Sequence, residues 1–139
     1  MIQPDAHRLE MDSGPEALAE IERLLTYAWS AHPHVPEIIR TQVAIATAEI
    51  GANIVEHASA GRLSRLAMVI RVLANQVLVE FTDNGGPLRV DLNAVSLPDD
   101  MAERGRGLPL AKAVLDRLIY QRDVMNHWTL VSKHFEPGI

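Results

Sequence analysis

No cysteine occurs among the 139 residues, which excludes a disulfide framework, a thiolate nucleophile and a zinc–thiolate site. There is no basic excess either. The 13 Lys and Arg against 18 Asp and Glu give a formal net charge of -5, the wrong sign for a face that holds nucleic acid. No apolar run is long enough to span a bilayer, and Met1 to His7, with Pro4 and Asp5, lacks the apolar centre of a signal peptide. A Gly-x-x-x-x-Gly-Lys-Ser/Thr loop is also missing, which removes the P-loop class. What is left is one domain over 1–139, expected to be cytoplasmic, with neither membrane nor direct nucleic-acid contact. Its length allows a single sizeable core, and 47% apolar and 22% charged residues are ordinary for a globular chain.

The periodicity alternates between helix and strand. After a strand near His7–Met11, Ser13 suits a helix cap and Pro15 a first turn, and Leu18, Ile21, Leu24 and Leu25 recur at helical spacing. Ala31–Pro36 breaks that helix. A second is predicted from about Glu37 to Ala58, with Ile39, Val43, Ala46 and Ile50 on one stripe and His57 continuing it. Leu66–Leu73 and Val77–Thr82 read as a hairpin across Ala74–Gln76. Gly85 to Arg106 shows no period, and a loop of about twenty residues in a compact domain marks a lid over a site or disorder. A third helix is expected from Gly107 to Leu118, then strands Ile119–Val124 and Trp128–Phe135 turning at Met125-Asn126. The order strand, helix, helix, strand, strand, helix, strand, strand predicts a two-layer α/β (α+β) sandwich. Its mostly antiparallel mixed sheet of about five strands would carry three helices on one face.

Three segments carry chemistry. In Glu49-Ile-Gly-Ala-Asn53 the two polar side chains sit four residues apart on a helix, about 40° apart on its wheel. The carboxylate could act as a base on an attacking hydroxyl, and the amide oxygen suits Mg²⁺. Solvated residues at a helix edge would look the same. Asp83 ends a strand whose Val77, Val79 and Phe81 share its face, so its carboxylate must find a donor such as the exocyclic amine of adenine. A plain turn at Asp83-Asn-Gly-Gly-Pro87 is the alternative. In Glu103-Arg-Gly-Arg-Gly-Leu108 the glycines open a helix whose unsatisfied N–H groups stabilise phosphate, with Arg104 or Arg106 adding charge.

In this order and spacing the segments resemble the motifs of the Bergerat-fold ATPases, the gyrase, histidine-kinase and MutL superfamily. Within it the chain is most similar to the stand-alone anti-sigma factor serine kinases and their switch-protein relatives. Thr47–Ala58 resembles that family's N box, Asp83–Gly86 its first glycine box, and Glu103–Asp116 its second. The resemblance implies ATP and Mg²⁺ as cofactors, Glu49 as general base, Asn53 as metal ligand and Asp83 as reader of adenine. It places Gly85 at the adenine end, Gly105, Arg106, Gly107 and Leu108 on the phosphate side, and the Thr129 hydroxyl near the adenine. One departure is Pro87, which stands where many members have a second glycine and stiffens the entrance of the loop.

The activity so implied is that of a serine/threonine protein kinase acting as an anti-sigma factor or regulatory switch. Its partners would be a sigma factor, a small STAS-type antagonist, or both, and the family's common homodimer is an expectation from the resemblance alone. The alternative is a nucleotide-binding module that sequesters a partner without phosphorylating anything; retention of Glu49 favours the kinase. His32 and His34, around Pro33, lack a third metal ligand, His57 suits a structural imidazole, and Trp29 and Trp128 suit packing.

Overall fold

The computed structural model describes residues 6–58, 64–88, 92 and 107–137. They form β1 (Ala6–Asp12), α1 (Glu16–Ala31), α2 (Glu37–Ala58), β2 (Arg65–Val72), β3 (Val77–Asp83), α3 (Gly107–Val114), β4 (Arg117–Arg122) and β5 (Asn126–Val131). The five strands make one sheet in the order β1-β2-β3-β5-β4, and every pairing is antiparallel. The three helices lie over one face, so the architecture is the expected α+β sandwich.

Strand alternation shows which face that is. Leu66, Met68, Ile70 and Val72 of β2, Val77, Val79 and Phe81 of β3, and Trp128 and Leu130 of β5 are all buried. The residues between them form the open face, on which Arg71 of β2 and Glu80 of β3 form an ion pair. Each large apolar side chain moved under the helices contributes about 1.5–3 kcal/mol, so the pattern of period two fixes the face of each strand. Residue Leu73 closes the β2–β3 hairpin, its N–H donating to the Gln76 carbonyl at 2.9 Å.

Helix α2 is buried on two sides. Ile39, Val43, Ala46, Ile50 and Ile54 belong to the core. Around the cylinder Gly51 faces α1, where a Cβ would stand 2.9 Å from Cδ1 of Ile21. The missing side chain at Gly51 leaves room for the end of Ile21 against α2.

Several boundaries differ from expectation. Pro15 occupies the N-cap of α1 without a side-chain cap, because Ser13 is buried and its hydroxyl bonds that of Ser64 instead. Helix α3 ends at Val114 rather than Leu118, because Asp116 N–H already donates to the Val131 carbonyl at 2.9 Å. Pairing with β5 then carries Leu118 in a strand, a tertiary interaction overriding helix propensity. The last turn lies at Asp123–Met125 rather than at Met125-Asn126. The Asp123 carboxylate accepts from Met125 N–H at 2.9 Å and releases Asn126 into β5. His57 does not continue the stripe of α2 and is exposed near its end. Most of the segment between Gly85 and Arg106, with Gly105 and Arg106 themselves, lies outside the described residues.

Candidate functional site

The sheet register assembles one end of the site. Asp83 pairs with Asn126 across β3 and β5, and Asn126 with Arg122 across β5 and β4. One row deeper, Phe81 pairs with Trp128 and Trp128 with Tyr120, the last two rings having centroids 4.7 Å apart. Asp83 is 3% exposed and thus sits where an apolar column ends. Its Oδ1 accepts from Gly85 N–H at 2.9 Å and from Asn126 Nδ2 at 3.0 Å. Its Oδ2 is buried and has no partner, the one such side-chain atom among the described residues.

An orphaned buried carboxylate oxygen is costly, so it marks a place where a donor from outside belongs. It faces a narrow cleft of ≈ 10 Å³ lined by Asn53, Ile54 and His57 of α2 together with Asp83, Gly86, Pro87, Leu88, Tyr120, Asn126 and Trp128. Ile54, Leu88, Tyr120 and Trp128 offer apolar and aromatic surface to a flat ring, and Asp83 offers the acceptor that an exocyclic amine needs. The chemistry of these residues therefore suits adenine.

The helix end is built differently. Glu49, half-buried on α2, lies against the first residue of α3: a Cβ at Gly107 would stand 2.7 Å from its Oε2. The missing side chain at Gly107 is what lets this carboxylate reach the start of α3. Four residues on, Asn53 is half-buried and lines the same cleft as Asp83. Leu108 follows Gly107 in the first turn and packs against the core. Further along α3, Lys112 donates to the carbonyl of Leu92 at 2.9 Å. No three His, Asp or Glu residues among those described are grouped to hold a metal ion. Mg²⁺ takes one or two protein oxygens and completes its shell with waters and phosphates, so Asn53 suits it as a single ligand.

Asn53 and Asp83 thus line one cleft, with Gly85 bonded to Asp83, while Glu49 lies one helical turn from Asn53 and against Gly107. Thr129 is not part of this group. It alternates with the buried Trp128 and Leu130 and pairs with Glu80 and Ile119 on the open face, so its hydroxyl is on the wrong side of the sheet. The polar residue of β5 on the correct face is Asn126. Counting back in twos from Leu130 and Trp128 would have found it, had the turn not been expected at that position. The histidines are used elsewhere: His32 Nε2 meets His7 Nε2 at 3.0 Å, and His34 Nε2 bonds the Leu73 carbonyl at 3.1 Å. A larger groove of ≈ 540 Å³ between α1 and α2, lined by Leu18, Ile21, Leu25, Ala44, Ile45 and Ala48 among others, has no orphaned polar atom.

A family model described as a histidine kinase-like ATPase domain matches residues 11–132, most of the chain. No curated protein matches it significantly. No helix among the described residues is long and apolar enough to cross a membrane.

Proposed function

Because the chain belongs to the histidine kinase-like ATPase domain family, we propose that it is an ATP- and Mg²⁺-dependent serine/threonine protein kinase. It would act as an anti-sigma factor or related regulatory switch, with a small STAS-type antagonist as phosphoryl acceptor. The observation that carries the reading is the buried, unpartnered Oδ2 of Asp83, facing a cleft whose other wall holds Asn53. Asp83 accepts the adenine amine, Tyr120 and Trp128 border the ring, and Asn53 offers Mg²⁺ its side-chain oxygen.

Transfer, beyond binding, is supported by Glu49. Its carboxylate meets the N-terminus of α3, where backbone N–H groups stabilise phosphate oxygens, so a base stands beside the phosphate end. Glu49 takes the proton of an attacking serine hydroxyl as that oxygen bonds to phosphorus. Bound ATP would supply the phosphoryl group, its bond to ADP breaking as ADP leaves, and Mg²⁺ would offset the phosphate charge, so positioning and electrostatics are what the protein must add. A module that only sequesters a partner has no need of a base there.

The test is incubation with γ-labelled ATP, Mg²⁺ and the antagonist-like protein encoded nearest to this chain. Label on a serine or threonine of that protein, lost together with Mg²⁺-dependent nucleotide binding in Asn53→Ala, is the expected result. Tight sigma-factor binding with no transfer to any cognate acceptor would leave the sequestering module as the function.

A further inference from the structure

Resting on the nucleotide reading of the cleft, we infer that Asn126 is a positioning residue that, fixed by Tyr120 and Arg122, turns Asp83 into a selector of 6-amino over 6-oxo purines. Asn126 can face Asp83 in two ways, related by a flip of its amide. The Oδ1 side receives only donors. Tyr120 Oη donates to it, as does Arg122 Nη1 at 2.8 Å. Tyr120 Oη is itself committed, since it accepts from Leu88 N–H at 2.9 Å and so directs its own proton to Asn126.

The Nδ2 side meets only acceptors: Asp83 Oδ1 at 3.0 Å, the Gly86 carbonyl at 2.8 Å and the Gly85 carbonyl at 3.3 Å. A flipped amide would set its oxygen against three acceptors and its NH₂ against a guanidinium, so one orientation is enforced. That orientation occupies Oδ1 of Asp83, which Gly85 N–H holds as well, and leaves Oδ2 as the oxygen presented to the cleft. An amine at position 6 of a purine completes it, whereas a 6-oxo group sets acceptor against acceptor. Without Asn126 the carboxylate keeps one anchor and can rotate, which weakens the first interaction and relieves the second. Arg122 also donates to the Gly85 carbonyl at 3.1 Å, tying the same clamp to the first glycine segment.

The measurement is titration calorimetry of ADP and of IDP, which differ at position 6, against wild type, Asn126→Ala and Tyr120→Phe. Wild type should prefer ADP by about 10²-fold, since a site built to bond an NH group rejects the analogue lacking it. In Asn126→Ala the ADP:IDP ratio should fall about tenfold or more, through weaker ADP binding with IDP binding held or improved. Tyr120→Phe keeps the ring against Trp128 and should lower the ratio a few-fold, about the loss of one hydrogen bond. A merely structural role would weaken both nucleotides together and leave the ratio alone. That result, or an unchanged ratio in Asn126→Ala while wild type discriminates, overturns the role of Asn126 and leaves the nucleotide reading standing. Wild type that binds both equally overturns the inference and leaves nucleotide binding standing, and wild type that binds neither overturns the reading and the inference together.

Discussion

The two halves of the candidate site are made to opposite specifications. At the sheet end Asp83 and Asn126 are both almost fully buried; Asp83 accepts two hydrogen bonds, and Asn126 bonds side chains of β3 and β4 and the carbonyls of Gly85 and Gly86. At the helix end Glu49 and Asn53 are half-buried side chains on one helix, and the close feature is an absence, the missing Cβ of Gly107. Recognition of a flat base rewards acceptors that cannot turn, since an oxygen free to rotate accepts from water as readily as from an amine. Work on a phosphate requires side chains that can follow a changing charge distribution. On the proposed function, rigidity belongs to the end that would read the base, and adjustability to the end that would react.

The comparison breaks most readily at Glu49. Glu49→Gln should leave ADP affinity within about threefold while transfer falls by roughly 10²–10⁴-fold, the range for a general base. Labelled-phosphate transfer beside calorimetry separates the two quantities, and equal losses in both would mean that Glu49 belongs to the reading end. Asp83→Asn should do the reverse. The amide can turn its NH₂ toward the adenine amine, and ADP affinity should fall by about 10²-fold. Unaltered binding would overturn the adenine assignment.

Gly107→Ala sharpens the contrast. The new Cβ would meet Oε2 of Glu49 at 2.7 Å, a contact that the end of a flexible side chain can escape by moving. Stability should therefore change by less than about 1 kcal/mol, but the displaced carboxylate should cost roughly tenfold in transfer with nucleotide binding nearly intact. An unchanged transfer rate would show that Glu49 works from some other position.

The smallest effect is expected at the β4–β5 turn. Met125 N–H, and after it the hydrogen bond from His127, hold the Asp123 carboxyl below the usual range for an aspartate. A lowered value in the folded state means that the charged form stabilises the turn above the ordinary carboxylate value. That contribution is lost as pH falls through the lowered one. The Met125 amide resonance should titrate with a midpoint below that of a free aspartate and lose the transition in Asp123→Asn. A midpoint at the ordinary value would remove the Asx turn from the account of why Asn126 enters β5.

The legible part of the fold followed from periodicity. The β2–β3 hairpin and α2 have long, regular apolar patterns, and α2 has the expected bounds. Boundaries slipped where a non-local bond competed with local preference, as for Ser13 with Ser64 and Asp116 with Val131, and where a local bond from Met125 N–H to Asp123 moved a turn. In the candidate site, Glu49, Asn53 and Asp83 were picked out by motifs that each lie within a single element, and Asn53 and Asp83 line one cleft. Asn126 was overlooked because the last turn was expected there, and Thr129, suggested by the resemblance, falls on the open face because strand side chains alternate. A shift of one residue exchanges the two faces of a strand.

The sequence by itself determined the elements, the apolar face of each strand, and the three polar segments, since these depend on neighbours a few residues apart. Only the tertiary structure decided that β5 lies between β3 and β4, and with it that Asn126 stands beside Asp83 and between it and Arg122. It also decided that Glu49 meets Gly107 across two helices. Strand order and helix packing are settled by which faces bury the most apolar surface together while satisfying every backbone group. That sum runs over residues far apart in the chain, and no local pattern records it.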